Sequence, residues 1–273
     1  MYLGIDIGGT KTLAAVLDDT GVIQEKLKFP TNVDYDQFLI ELATTIRGFS
    51  IQDFKACGLA MPVTVFDRKN GVGVNFGNLP WKNVSIHRDV EKIADCPVVI
   101  DNDAKLGGLS EALMLKDEFS KVMYVTVSTG IGLSFVEDGV IDENFGDGGG
   151  RSMLFEHKGK LTPWESFASG RAIVDRYGKM AMEITDEPTW SLIVRDLAPG
   201  ILQLIAIMQP EVIVIGGSVG TYFERYGSLL IAELKKFELP LIKIPEIRGA
   251  QRPEEAVVYG CYDLAKLHYG TAP

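Results

Sequence analysis

Three times in this chain an apolar run that reads as a strand ends abruptly in glycine. Residues 2–7 lead into Gly8-Gly9-Thr10-Lys11, 122–127 into Ser128-Thr129-Gly130, and 211–215 into Gly216-Gly217. Glycine at such a place lets the chain turn sharply and leaves backbone N–H groups open to close approach by an anion. One such turn is most simply a hairpin. Turns of this kind at strand ends in both halves of the chain call for a sheet-based fold, and they make sense together when they converge on one nucleotide in a cleft between lobes.

Around these turns the pattern predicts strands at 2–7, 12–17 and 22–29, a helix at 35–49, a strand at 56–60, a helix near 84–94 and a strand at 97–101. From 122 the order repeats. Strands at 122–127 and 133–137 and a short strand after the EDG turn precede helices around 164–182 and 190–208. A strand at 211–215, a helix at 222–237, a strand at 241–247 and a last helix over 254–267 follow, the last packing back on the first lobe. A chain of 273 residues exceeds the ordinary domain of about 150, so the expectation is two mixed α/β lobes dividing inside the helix after Asp103.

With 46% apolar and 23% charged residues the chain can build real cores. Its net charge of -10 argues against nucleic acid and anionic membranes as partners, because an acidic surface repels both. A nucleotide must then be held against the average field by backbone amides, a lysine and a divalent cation. The chain opens directly on a strand pattern and has no apolar run long enough to span a bilayer, which predicts a cytoplasmic protein. Cys57, Cys96 and Cys261 are odd in number and far apart, as expected of reduced thiols filling a core.

Two segments carry candidate chemistry. Asp6 ends the first strand just before the GGTK turn, where Lys11 adds a positive charge. Asn102 and Asp103 stand between a strand and a helix, so Asp103 reads first as a helix cap and, alternatively, as a catalytic base.

The segments DIGGTKT, NDA, STGIG and GGSVG, in this order over nearly the whole chain, resemble the repressor/open-reading-frame/kinase (ROK) family of sugar kinases, glucokinases among them. The resemblance implies the two-lobed actin/hexokinase (ribonuclease H-like) fold with a mixed sheet in each lobe, 1–108 with 255–273 forming the small lobe and 109–254 the large one. It implies a kinase that moves the γ-phosphate of Mg-ATP to a hexose, glucose first among the acceptors. In that reading Asp103 deprotonates the sugar hydroxyl. Asp6 holds Mg²⁺ through water, and Gly8, Gly9, Thr10, Lys11, Thr129 and Gly130 face the phosphates, with Gly216 and Gly217 beside the adenosine. Asn78, Asn102, Asp103 and Glu165 contact the sugar.

The chain departs from the family pattern in places. Asn78-Leu79-Pro80-Trp81 lacks the glycine of the family's NLPGW segment, and Val63 replaces a glycine after Pro62. The family's GExGH motif is missing, its aligned positions falling near 149–152. Glu156 and His157 are tentative substitutes, though a surface turn accounts for them equally well. No CxCGxxGC pattern lies between His157 and Glu165, so no zinc is expected. The short loop before Glu165 is loosely similar to that of relatives using polyphosphate beside ATP. A strand beginning at residue 2 leaves no room for the helix-turn-helix of the family's repressors, so an enzyme is expected. The rival reading is an inactive sugar-binding or regulatory protein of the same fold. A homodimer is compatible with exposed apolar residues such as Phe223 and Tyr226.

Overall fold

The computed structural model describes residues 1–252 and 255–270. It divides into two compact units, Met1–Ser110 with Glu255–Pro273, and Glu111–Glu254.

The first unit is built on a five-stranded sheet. Strands β1 (Tyr2–Ile7), β2 (Lys11–Leu17) and β3 (Ile23–Pro30) form an antiparallel meander. After helix α1 (Tyr35–Arg47) comes β4 (Ala56–Met61), then β5 (Val63–Asp67), β6 (Val72–Phe76), β7 (Lys82–Val84), α2 (Ile86–Ala94), β8 (Val98–Asn102) and α3 (Asp103–Leu115). The main sheet has the order β3-β2-β1-β4-β8, with β4 and β8 parallel to β1. Sequence character follows position. The inner strands β1 and β4 are apolar and buried along both faces, whereas β3 at the edge alternates and carries charges. Asp34 caps α1 by accepting from Gln37 N at 3.0 Å.

Strands β5, β6 and β7 form a separate antiparallel sheet that the sequence pattern does not announce. It is pinned to an aromatic cluster. Trp81 is buried against Phe38, Tyr35 and Phe76, and its Nε1 donates to Val33 O at 3.0 Å. Burying a side chain of this size contributes on the order of 2–3 kcal/mol, enough to anchor a short sheet with few pairings.

The second unit repeats the plan. Strands β9 (Lys121–Val127), β10 (Ile131–Glu137) and β11 (Val140–Ile141) form the meander. The hairpin β12 (Leu154–His157) with β13 (Lys160–Pro163) leads to α4 (Glu165–Ala168), α5 (Gly170–Tyr177) and α6 (Glu187–Met208). Then come β14 (Val212–Gly216), α7 (Gly217–Gly220), α8 (Phe223–Lys235) and β15 (Glu246–Gly249), giving the sheet order β11-β10-β9-β14-β15. The last helix, α9 (Ala256–Tyr269), returns to the first unit and packs on β1 and β4.

Several expectations need correction. The helix at 164–182 is broken, because Ser169 is extended (φ -75°, ψ 167°) and caps α5, while Gly178 ends α5 in the left-handed region at φ 64°. The strand at 241–247 is instead β15, since Pro240 and Pro245 lack N–H donors and pairing with β14 begins only at Glu246. Helix α6 starts earlier than 190 because Asp186 caps it by accepting from Thr189 N. Residue 254, the expected start of the last helix, lies outside the described residues. Tyr226 is not exposed but wholly buried, stacked on Trp190 with ring centroids 4.6 Å apart. Helix α6 is long and apolar enough to cross a membrane by composition, yet Trp190, Leu197 and Ile201 are buried in its unit's core, as in a core helix of a folded unit.

Candidate functional site

In the first unit the β1–β2 turn is held rigid. Gly8 N donates to Lys11 O at 3.0 Å, and Thr31 braces the turn from β3's end, its Oγ1 donating to Gly8 O at 2.8 Å and its N–H to Thr10 O at 3.0 Å. Thr31 is a residue that motif reading misses, since nothing marks it until β3 is paired with β2. Thr10 and Lys11 are left exposed. The turn touches the Asn78-Leu79-Pro80-Trp81 loop directly: a Cβ on Gly9 would stand 2.8 Å from Asn78 Cβ, so only glycine admits this approach. Leu79 and Trp81 are buried on the two sides of Pro80 and hold the loop, leaving Asn78 exposed.

The end of β8 is strapped to the small sheet. Asn102 Nδ2 donates to Val63 O at 2.8 Å, and Asp101 Oδ1 accepts from both Asn102 N and Arg68 Nη2 at 2.7 Å. Asn102, rather than Asp103, takes the capping position, its Oδ1 accepting from Ala104 N at 2.9 Å. Asp103 is the first residue of α3, its Oδ1 also within 2.8 Å of Ala104 N. Burial pushes its carboxyl up to about 6, partly offset by that backbone N–H. Asp6, 97 residues away in sequence, is pushed up to about 7 by burial and then by the charge of Asp103, with Lys28 pulling the other way. The charge of Asp103 thus adds to burial in raising the proton affinity of Asp6, as expected for a carboxyl with a like charge nearby.

In the second unit Ser128 N donates to Gly130 O at 2.9 Å and Gly170 N to Ser128 O at 2.7 Å, so the start of α5 closes on the STG turn. Thr129 is exposed. Glu165 reaches the same turn, its Oε2 accepting from Ile131 N at 3.0 Å, while Oε1 accepts from Arg151. Gly217 has φ +79°, and a Cβ there would lie 2.6 Å from Val127 O. The GG turn is thus required by packing on β9 whether or not a ligand binds.

The tentative pair is divided in role. Glu156 Oε1 accepts from Gly159 N at 2.6 Å within the β12–β13 hairpin, whereas His157 stacks on Phe167 at 4.3 Å, on the short helix that begins with Glu165. Among the described residues no three His, Cys, Asp or Glu side chains gather as a metal-binding group. The acidic donors near the GGTK turn are therefore one or two carboxylates, a set suited to Mg²⁺, which keeps water and phosphate oxygens as its other ligands. Cys57, Cys96 and Cys261 are buried and free.

Known proteins share this plan. A family model described as "ROK family" matches residues 2–267. The chain is similar to the glucokinase of Pyrobaculum calidifontis, 28% identical over 97% of this chain and 94% of the relative. It is similar to the fructokinase of Lactococcus lactis subsp. cremoris, 24% identical over 80% of this chain and 79% of the relative. A ROK family glucokinase from Streptomyces griseus, solved in complex with glucose and AMPPNP, superimposes with a TM-score of 0.81 at 22% identity, covering 97% of this chain and 99% of the other. The fold is thus the α/β actin/hexokinase type with a mixed sheet in each lobe.

Proposed function

Since the chain belongs to the ROK family, we propose that it is an ATP-dependent sugar kinase, with Asp103 as the base. The observation that carries this reading is Asp103 itself. It sits at the start of α3 with its proton affinity raised to about 6, near the optimum for accepting a hydroxyl proton at neutral pH.

The roles are those that the family resemblance implies, and the local geometry supports several of them. Asn78 and Asn102 orient the sugar hydroxyls, one exposed on a loop seated against Gly9 and the other fixed by its bond to Val63 O. Glu165 stands at the position where the resemblance implies a sugar contact. Gly8, Gly9, Thr10 and Lys11, with Thr129 and Gly130, receive the phosphates through turn amides and the lysine, and Gly216 and Gly217 flank the adenosine. Asp6 would hold Mg²⁺, which when bound neutralises phosphate charge. The charge of Asp103 opposes ionisation of Asp6, and a cation held by Asp6 would offset that opposition.

Glucose is the favoured acceptor within a family whose similar members include a glucokinase and a fructokinase. Three buried free thiols support a reducing, cytoplasmic setting. The test is ADP release with Mg-ATP against a panel of free hexoses, beside Asp103→Asn. Turnover with one sugar, lost in the variant, supports the reading. Turnover with none moves the weight to polyphosphate as donor, tested next, and then to a binding protein.

A further inference from the structure

The GDGGGR segment places a guanidinium on Glu165. Arg151 Nε and Nη2 lie 3.2 and 3.1 Å from Glu165 Oε1, while Oε2 accepts from Ile131 N at 3.0 Å. The fork is held by backbone packing. Gly149 has φ +52°, and a Cβ on it would lie 2.4 Å from Ile131 O. A Cβ on Gly150 would stand 2.8 Å from Ile131 Cβ and 3.3 Å from the Trp164 ring. The turn Gly149–Arg151 therefore lies flat on Ile131, the residue after the STG turn, and delivers Arg151 to Glu165 from there.

An ion pair with side chains 47% and 21% exposed adds little to stability, so its consequence lies in the charge it presents. Glu165 without Arg151 would offer a bare carboxylate to the acceptor. Paired, it offers a near-neutral surface with guanidinium N–H donors suited to hydroxyl oxygens.

We propose that Arg151 is a specificity-determining residue, which by pairing with Glu165 makes this kinase select neutral sugars over their protonated amino counterparts. The proposal rests on the reading that Glu165 meets the sugar acceptor. Charge matching decides such a choice by how the two acceptors differ in affinity, so a structural role alone would lower both equally.

The experiment compares the neutral hexose that the panel selects with its 2-amino counterpart, glucosamine for glucose or mannosamine for mannose. It is run on the full chain at about pH 7, where the amine is largely protonated. Wild type, Arg151→Ala and Arg151→Lys are each checked for an unchanged melting profile. In Arg151→Ala the ratio of kcat/KM for the amino sugar to that for the neutral sugar should rise roughly tenfold or more, and in Arg151→Lys it should stay near wild type. Equal loss on both sugars, or a lysine variant matching the alanine variant, overturns the proposal. If wild type turns over neither sugar, the kinase reading fails by itself. Calorimetric binding of the same two sugars to the same three proteins then reads the ratio directly, and an unchanged ratio or no binding overturns the proposal.

Discussion

Replacing Asp6 with asparagine should stabilise the protein above neutral pH, although the residue belongs to the proposed metal site. The Asp6 carboxyl is raised from its ordinary 3.8 to about 7, first by burial and then by Asp103. The folded chain therefore holds a proton there that the unfolded chain has released. Stability falls as pH rises from about 4, and the loss is complete above about 7. A rise of about three units at about 1.4 kcal/mol each sets an upper limit near 4 kcal/mol. Asp6 is only partly buried and keeps some contact with solvent, so roughly half of that, about 2 kcal/mol, is expected. Asparagine keeps the shape and has no charge to desolvate. Urea unfolding at about pH 8 and at about pH 5 measures the effect: the variant should gain about 2 kcal/mol at the higher pH and little at the lower. Added Mg²⁺ should narrow the gap at the higher pH by stabilising wild type alone. A variant less stable than wild type at both pH values, or a difference independent of pH, would refute the buried, mutually repelling pair.

Asp103→Asn should lower sugar-dependent turnover by about a hundredfold or more. The wild-type kcat/KM should fall as pH drops through about 6, because only the ionised carboxylate accepts the proton. Arg68→Met should cost roughly 1–3 kcal/mol in urea unfolding by leaving buried Asp101 without its bond at 2.7 Å, and Arg68→Met with Asp101→Asn should recover most of it. A double variant no more stable than the single one would remove Arg68–Asp101 as a strap on β8. Gly217→Ala should destabilise by about 2 kcal/mol or more, since it combines φ +79° with a Cβ 2.6 Å from Val127 O. An unchanged unfolding midpoint would mean that the turn can shift to make room.

The sequence by itself determined the features that depend on neighbours along the chain. An apolar run such as 2–7 has to be a buried strand, the glycines after it have to be a turn, and the Asn102-Asp103 pair has to open a helix, because each outcome is set by local backbone chemistry, although only the structure gives the cap to Asn102 instead of Asp103. The order of such elements was enough to anticipate a mixed sheet in each half. Tertiary structure decided what depends on partners distant in sequence. The strands β5, β6 and β7 are too short and irregular to signal themselves and exist through pairing and the Trp81 cluster. The prolines at 240 and 245 delayed β15 to the residues whose N–H groups could meet β14. Asp6 repelling Asp103, Thr31 bracing the GGTK turn and Arg151 pairing with Glu165 each require that the chain first fold back on itself. Motif spacing carries the identity of such side chains but not their charge environment, because desolvation and Coulomb forces act through space and not along the backbone.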